Sequence, residues 1–221
     1  MKVYLVTFAE GTIYENSQRQ LKYSLNIANI DEHIYWNHKK IKETQFYNLH
    51  KELLDKQPGF GYWAWKPYII LDQLQIIGDD DILIYMDASR YETDGFKNSC
   101  LDVIKFMKDN NIDILPGFKT GNTNRQMIKQ SCLEYFKLDK CNAFLNLSNI
   151  FTSPMFIRKT DFTISFIKQW LNGCLIESNI SHEDLRSYGG ICHIYDQAVL
   201  NCLLYKYTIV SFKPDTTNES E

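Results

Sequence analysis

The sequence predicts an α/β domain whose central, mostly parallel sheet is flanked by helices. Three observations point there. Short apolar stretches alternate along the chain with stretches of helical spacing, the pattern of strand–helix–strand units. Residues 82–86, Ile-Leu-Ile-Tyr-Met, are nearly all apolar, as expected of a strand buried on both faces in a parallel sheet. The 221 residues suit one domain, long enough to bury about 70% of the unfolded chain's surface.

The elements follow in order. Val3 to Phe8 is a β-branched and aromatic run that ends in Ala9-Glu10-Gly11, a strand and then a loop. Leu21, Leu25, Ile27 and Ala28 recur at helical spacing behind Ser17, a candidate N-cap. Residues 33–36 read as a second strand and 46–54 as a short helix. Pro58-Gly59-Phe60-Gly61 breaks the chain, and a helix resumes over 63–77 with Pro67 in its first turn, where a missing N–H costs little. Gly78-Asp79-Asp80-Asp81 is a turn, followed by the strand 82–86. A helix over 101–108, a strand over 112–115 and a helix over 122–137 come next. Residues 151–158 read as a strand, with Pro154 marking an edge or bulge. Helices over 161–175, capped by Asp161, and 196–204 precede a last strand at 207–212. The domain is expected to span 1–212, and the polar 213–221 forms a tail or the start of a linker.

Composition narrows the function. Aromatics make up 14% and include 14 Tyr. Rings with polar tips suit a cleft that grips rings and sugars, and suit an ordinary core equally. The net charge of −3 carries no basic footprint for nucleic acid and no run for an anionic membrane. Charged ligands must therefore be held by a local site. The cysteines at 100, 132, 141, 174, 192 and 202 form no C-x-x-C pair and have no histidine at zinc-finger spacing. They read as free thiols in a reducing compartment, hence a cytoplasmic location. The apolar stretch after Met1-Lys2 is too short for a signal peptide, and no run reaches the ~18 residues of a transmembrane segment. The sequons at Asn146, Asn179 and Asn218 then carry no weight.

Three stretches carry chemistry. Asp79-Asp80-Asp81 precedes the strand 82–86 and Asp87-Ala88-Ser89 follows it. Five strand residues separate the two groups by roughly 17 Å, so they cannot share one ion. Ligands bind beyond the carboxyl ends of strands in such sheets, so Asp87 faces the ligand side and the triple Asp reads as a solvated turn. A carboxylate at Asp87 suits Mg²⁺ or Mn²⁺ bridging to phosphates, and equally suits a cap or loop. In Gly59-Phe60-Gly61-Tyr62-Trp63-Ala64-Trp65-Lys66-Pro67, a helix start attracts anions and Lys66 adds a point charge. The alternative is a buried Trp pair with an exposed lysine. In His193-Ile194-Tyr195-Asp196-Gln197, Asp196 is either a helix cap or a base, and His193 either a ligand or a packed core residue.

Taken in order, these three blocks resemble the small glycosyltransferases of the GT-A fold found in bacterial capsule and lipopolysaccharide loci and in large DNA viruses, chlorella viruses among them. The resemblance reaches nearly the whole chain, to about Phe212. The W-x-W-K-P block is its most specific part. It implies a single GT-A-like (Rossmann-like) domain that moves a sugar from a nucleotide-diphosphate sugar, UDP being the commonest nucleotide, to a glycan or other hydroxyl acceptor. Thr7, Phe8 and Ala9 would line the nucleobase and ribose pocket, and Lys66 with Trp63 would sit against the nucleotide. Asp87 would be the first acid of a D-x-D motif holding Mn²⁺ or Mg²⁺, with Ser89 at the third position where the family has an acid. Asp196 would sit in the acceptor region; it is the candidate base if the reaction inverts, with His193 and Gln197 the candidates for holding acceptor hydroxyls. Three other readings stay open, one of them a glycoside hydrolase, which needs paired carboxylates across a cleft. A nucleotidyltransferase would carry a Gly-rich loop after the first strand, and Ala9-Glu10-Gly11-Thr12 has one glycine. A scaffold that binds nucleotide sugar without turning it over would fit the Ser89 departure.

Overall fold

The computed structural model describes residues 1–25, 30–88, 94–182 and 190–209. Among them lie the strands β1 (Val3–Phe8), β2 (Glu32–Trp36), β3 (Ile82–Asp87), β4 (Ile114–Leu115), β5 (Lys119–Thr123), β6 (Ser148–Ile150) and β7 (Met155–Arg158). The main sheet has the order β2-β1-β3-β7-β4. β1 is parallel to β2 and to β3, whereas β7 is antiparallel to both β3 and β4. β5 and β6 pair as a separate antiparallel ribbon.

The order of β1, β2 and β3 creates the crevice. The helix Thr12–Leu25 carries the chain from β1 to β2 on one flank. The helices Gln45–Leu54 and Trp65–Ile76 bring it back to β3 on the other flank. The direction of winding thus reverses between β1 and β3, and a cleft opens beyond their carboxyl ends.

β3 is buried along its apolar length, from Ile82 to Met86, because both faces of the sheet are covered. Leu83 and Tyr85 enter the larger core, shared with the helices Trp65–Ile76 and Asp161–Cys174. Ile82, Ile84 and Met86 enter a second core with Cys100, Val103, Ile104 and Met107 of the helix Asp94–Asp109. Truncating a residue such as Leu83 to alanine would cost about 2–5 kcal/mol. The helix Trp65–Ile76 packs between sheet and helix Asp161–Cys174 and is buried nearly all round.

Several boundaries differ from expectation. The first helix begins at Thr12. Ser17 lies inside it and donates to the Ile13 carbonyl at 3.1 Å, satisfying its hydroxyl locally instead of capping; Ile27 and Ala28 lie outside the described residues. The helix expected over 122–137 is split into Asn124–Met127 and Gln130–Tyr135 by extended backbone at Ile128 and Lys129. Polar tertiary anchors override the periodicity there: Asn124 Nδ2 donates to the Phe144 carbonyl at 3.1 Å, and Lys129 Nζ to the Ser181 carbonyl at 2.7 Å. Residues 151–154 form a loop, and strand pairing starts only at Met155, after the proline that cannot donate to a ladder. Thr160, not Asp161, caps the helix Asp161–Cys174 by accepting from Thr163 N at 3.2 Å. The helix Tyr195–Lys206 closes through a turn at Tyr207 and Thr208, where a last strand was expected. The rest of 207–212, from residue 210, and the tail 213–221 lie outside the described residues. Gly78 to Asp81 do form a turn, but only Asp79 and Asp80 are solvated; Asp81 is buried.

Candidate active site

β1 and β3 end side by side, with Phe8 opposite Asp87 in the register. Beyond them lies a cavity of about 560 Å³. Its floor is a cluster of charges. Lys66, second residue of the helix Trp65–Ile76, points inward instead of to solvent. Its Nζ donates to Thr152 Oγ1 at 2.9 Å and stands 3.3 Å from Asp196 Oδ2 and 3.6 Å from Asp87 Oδ1. Burial works against the ammonium, but the Asp196 and Asp87 carboxylates outweigh it, and the Lys66 pKa is raised.

The two acids differ. The side chain of Asp196 is 6% exposed and that of Asp87 35%. Burial pushes the Asp196 pKa up, Lys66 holds it back, Asp87 adds to the rise, and it settles at about 6. Asp196 Oδ2 makes no well-formed hydrogen bond despite its nearness to Lys66. Asp87 is held from two sides. The Tyr85 hydroxyl donates to its Oδ1 at 2.6 Å, and its backbone N–H donates to Ser153 Oγ at 2.9 Å. Asp196 is not a cap: the helix starts at Tyr195, and Asp196 sits in its first turn. The Asp196 carbonyl accepts from Nε1 of the fully buried Trp170 at 2.9 Å, which fixes the helix start to the core.

Aromatic side chains wall the cavity in two groups. Next to β1, Phe8 stacks on Trp65 with ring centroids 3.8 Å apart, and His38 lies against Phe60 at 4.1 Å. Glu10 Oε2 accepts from His38 N at 3.0 Å, tying the loop after β1 to the start of the short helix His38–Lys42 that follows β2. The second group is Trp63 with Tyr195, centroids 5.1 Å apart, backed by Tyr62. Trp63 closes an unusual turn: Gly59, Phe60, Gly61, Tyr62 and Trp63 all have positive φ, from 54° to 74°. For the three non-glycine residues the left-handed conformation costs roughly 1–2 kcal/mol each. Close packing requires glycine at two of these positions. A Cβ at Gly59 would stand 2.4 Å from the Trp63 ring, and one at Gly61 would stand 2.7 Å from Leu54 Cα.

Of the residues singled out in the sequence, Phe8, Ala9, Trp63, Lys66, Asp87, Asp196 and Gln197 line this one cavity. Thr7 does not. It is fully buried one residue short of the strand end, and its Oγ1 accepts from Gln18 Nε2 at 2.8 Å. Nor does His193, which is buried and accepts from Lys129 N at 3.3 Å. Burial pushes its pKa down to about 3, helped by Lys129, so it stays a neutral packing residue. Gln197 reaches the cavity while donating to Asn149 Oδ1 at 2.6 Å. Ser89 lies outside the described residues. Sequence reasoning missed Thr152, Ser153 and Tyr85. The only signal for the first two was a Thr-Ser-Pro stretch inside a supposed strand.

A divalent ion was expected at Asp87. Among the described residues no three His, Cys, Asp or Glu side chains gather as a metal cage. The donor chemistry present is one partly open carboxylate next to a cavity, which fits a hard ion held mainly by phosphate oxygens and water. The six cysteines are free thiols, and no helix among the described residues is long and apolar enough to cross a membrane.

No protein-family model matches the chain, and no curated protein matches it in sequence. Among solved structures it is similar to a glycosyltransferase involved in the glycosylation of the major capsid of PBCV-1, with a TM-score of 0.53 and 11% identity over 99% of this chain and 85% of that one. It also aligns with a 4-diphosphocytidyl-2C-methyl-D-erythritol synthase from Anaerococcus prevotii DSM 20548, at a TM-score of 0.39 and 11% identity over 93% of this chain and 98% of that one; that superposition is too loose to carry an argument. The first likeness shows the fold, which is GT-A-like, as the order of sequence blocks implied.

Proposed function

We propose that the chain is a glycosyltransferase that moves a sugar from a nucleotide-diphosphate sugar, UDP-sugar as the first candidate, to a hydroxyl of a glycan acceptor. The carrying observation is the buried Lys66 ammonium between Asp87 and Asp196 on the floor of the cavity beyond β1 and β3. The nucleoside is assigned to the β1 end, where Phe8, Ala9, His38 and Phe60 line the cavity. The diphosphate then lies toward Lys66 and Asp87.

The reaction forms a bond from the acceptor oxygen to the anomeric carbon and breaks the bond from that carbon to the diphosphate, which leaves with the electron pair. Lys66 meets the growing negative charge on the leaving group from a dry, fixed position. In an inverting displacement Asp196 takes the acceptor hydroxyl proton, and a carboxylate with a pKa of about 6 is well matched to that work near neutrality. Mn²⁺ or Mg²⁺, held at Asp87 and by the diphosphate, would supply further charge neutralisation. Tyr85 and Ser153 hold Asp87 in place. Free cysteines and a nucleotide-sugar donor both suit the cytoplasm.

Calorimetric titration with UDP, with and without Mn²⁺, tests this reading. Mn²⁺ should tighten UDP binding, Asp87→Ala should abolish the gain, and Asp79→Ala should leave it intact. Binding of other nucleotides but not UDP would overturn the donor assignment. Tight UDP binding without any transfer or donor hydrolysis would favour the scaffold reading.

A further inference from the structure

We propose that Trp63 and Tyr195 form a shelf on which a neutral pyranose ring of the acceptor lies flat, presenting its hydroxyl to Asp196. The proposal rests on the glycosyltransferase reading and assigns the side of the cavity that the nucleotide leaves open. It also moves Trp63 from the nucleotide to the acceptor.

Among the described residues that line the cavity, two aromatic pairings are separate. Phe8 stacks on Trp65 at the end of β1, whereas Trp63 pairs with Tyr195 at the start of the helix that carries Asp196. Trp63 and Tyr195 are both half-buried and both line the cavity. Both also hold left-handed backbone, with φ of 61° and 48°. Such conformations persist where the surroundings over-determine them, and they concentrate at ligand clamps. Here the Trp63 ring lies directly over Gly59, and Tyr195 is backed by the Tyr62 ring at 5.8 Å. His182 Nδ1 stands 3.2 Å from the Tyr195 hydroxyl, which fixes the ring's outer edge.

The chemistry selects a sugar. A pyranose face presents C–H bonds with partial positive charge, and these meet the negative face of an aromatic ring. Its equatorial hydroxyls reach sideways, where the next two residues in the chain, Asp196 and Gln197, offer a carboxylate and an amide. An anionic acceptor is disfavoured. Asp87 and Asp196 both flank the position, and the Lys66 ammonium is already shared between them.

The experiment is saturation-transfer NMR on the whole chain with UDP present and a panel of methyl pyranosides as probes. Trp63→Asn and Tyr195→Asn remove each ring while keeping a residue that tolerates left-handed backbone. The expected result is saturation of ring C–H protons on at least one glycoside, reduced about tenfold in both variants, with UDP affinity retained. In the wild type, saturation should be stronger on irradiating aromatic resonances than methyl resonances, a result that needs no variant to fold. The shelf is overturned if the wild type binds UDP but saturates no glycoside, or if both variants keep the glycoside signal. It is also overturned if the variants lose UDP and keep the glycoside, which would return Trp63 to the nucleotide. Failure of the wild type to bind any nucleotide overturns the transferase reading itself.

Discussion

At the amino end of β3 stand Asp79, Asp80 and Asp81; at its carboxyl end stands Asp87 alone. The richer cluster is chemically quiet. The Asp79 side chain is 91% exposed and 3.3 Å from Lys159, and Asp80 is 74% exposed and 3.8 Å from Arg158. Asp81 is buried, but its carboxylate accepts from Lys2 N at 2.6 Å and Gly78 N at 3.0 Å, so it ties the first residues to the turn. The single acid at the other end faces a cavity and shares a buried ammonium with a second carboxylate 109 residues away in sequence. Acid density therefore says less about a site than the edge of the sheet it occupies. At one end the carboxylates meet solvent, backbone N–H groups and the cations Arg158 and Lys159. At the other they meet a desolvated cation and space for a ligand, where electrostatic interactions are stronger.

Substitutions sharpen this contrast. The largest effect on turnover is expected from Asp196→Asn, which removes the proposed base: transfer should fall by about 10²- to 10⁴-fold with UDP binding retained. The same group sets the pH profile. With Asp196 titrating at about 6, wild-type kcat/KM should drop as pH falls through that value, and the drop should be absent from the residual activity of the variant. Stability runs the other way. The folded-state pKa lies above the unfolded value of about 3.9, so the contribution is present below that pH and is lost as pH rises towards 6.

Lys66→Met comes next. It leaves the buried Asp196 without its cation, and breaking such a pair costs about 3–5 kcal/mol of stability by urea unfolding. It should also weaken diphosphate binding. Asp81→Ala should cost about 1–3 kcal/mol, because two backbone N–H groups lose a buried acceptor, while activity per folded molecule stays the same. Asp79→Ala should change neither stability nor turnover measurably. A loss of turnover in Asp79→Ala or Asp81→Ala would break the comparison between the two ends.

Much of the fold was legible because local pattern and tertiary demand agree. Residues 82–86 can be apolar throughout only where both faces of a strand are covered, and β3 is covered by two cores. Several of the errors fall where side chains bond to partners in other elements. Asn124 and Lys129 break an expected helix by reaching Phe144 and Ser181. Thr7 and His193 looked like site residues by sequence position, and packing turned both away from the cavity.

By itself the sequence determined the strand–helix alternation, the buried run of β3, the place of Asp87 after it, and the unusual composition of the turn before Lys66. These depend on periodicity and local chain chemistry, which act over a few residues. Only the tertiary structure decided that Lys66 turns inward, that Asp87 and Asp196 share its charge, and that the 151–154 loop adds Thr152 and Ser153. Those outcomes depend on which surfaces are removed from water when distant segments pack, and no spacing along the chain encodes that.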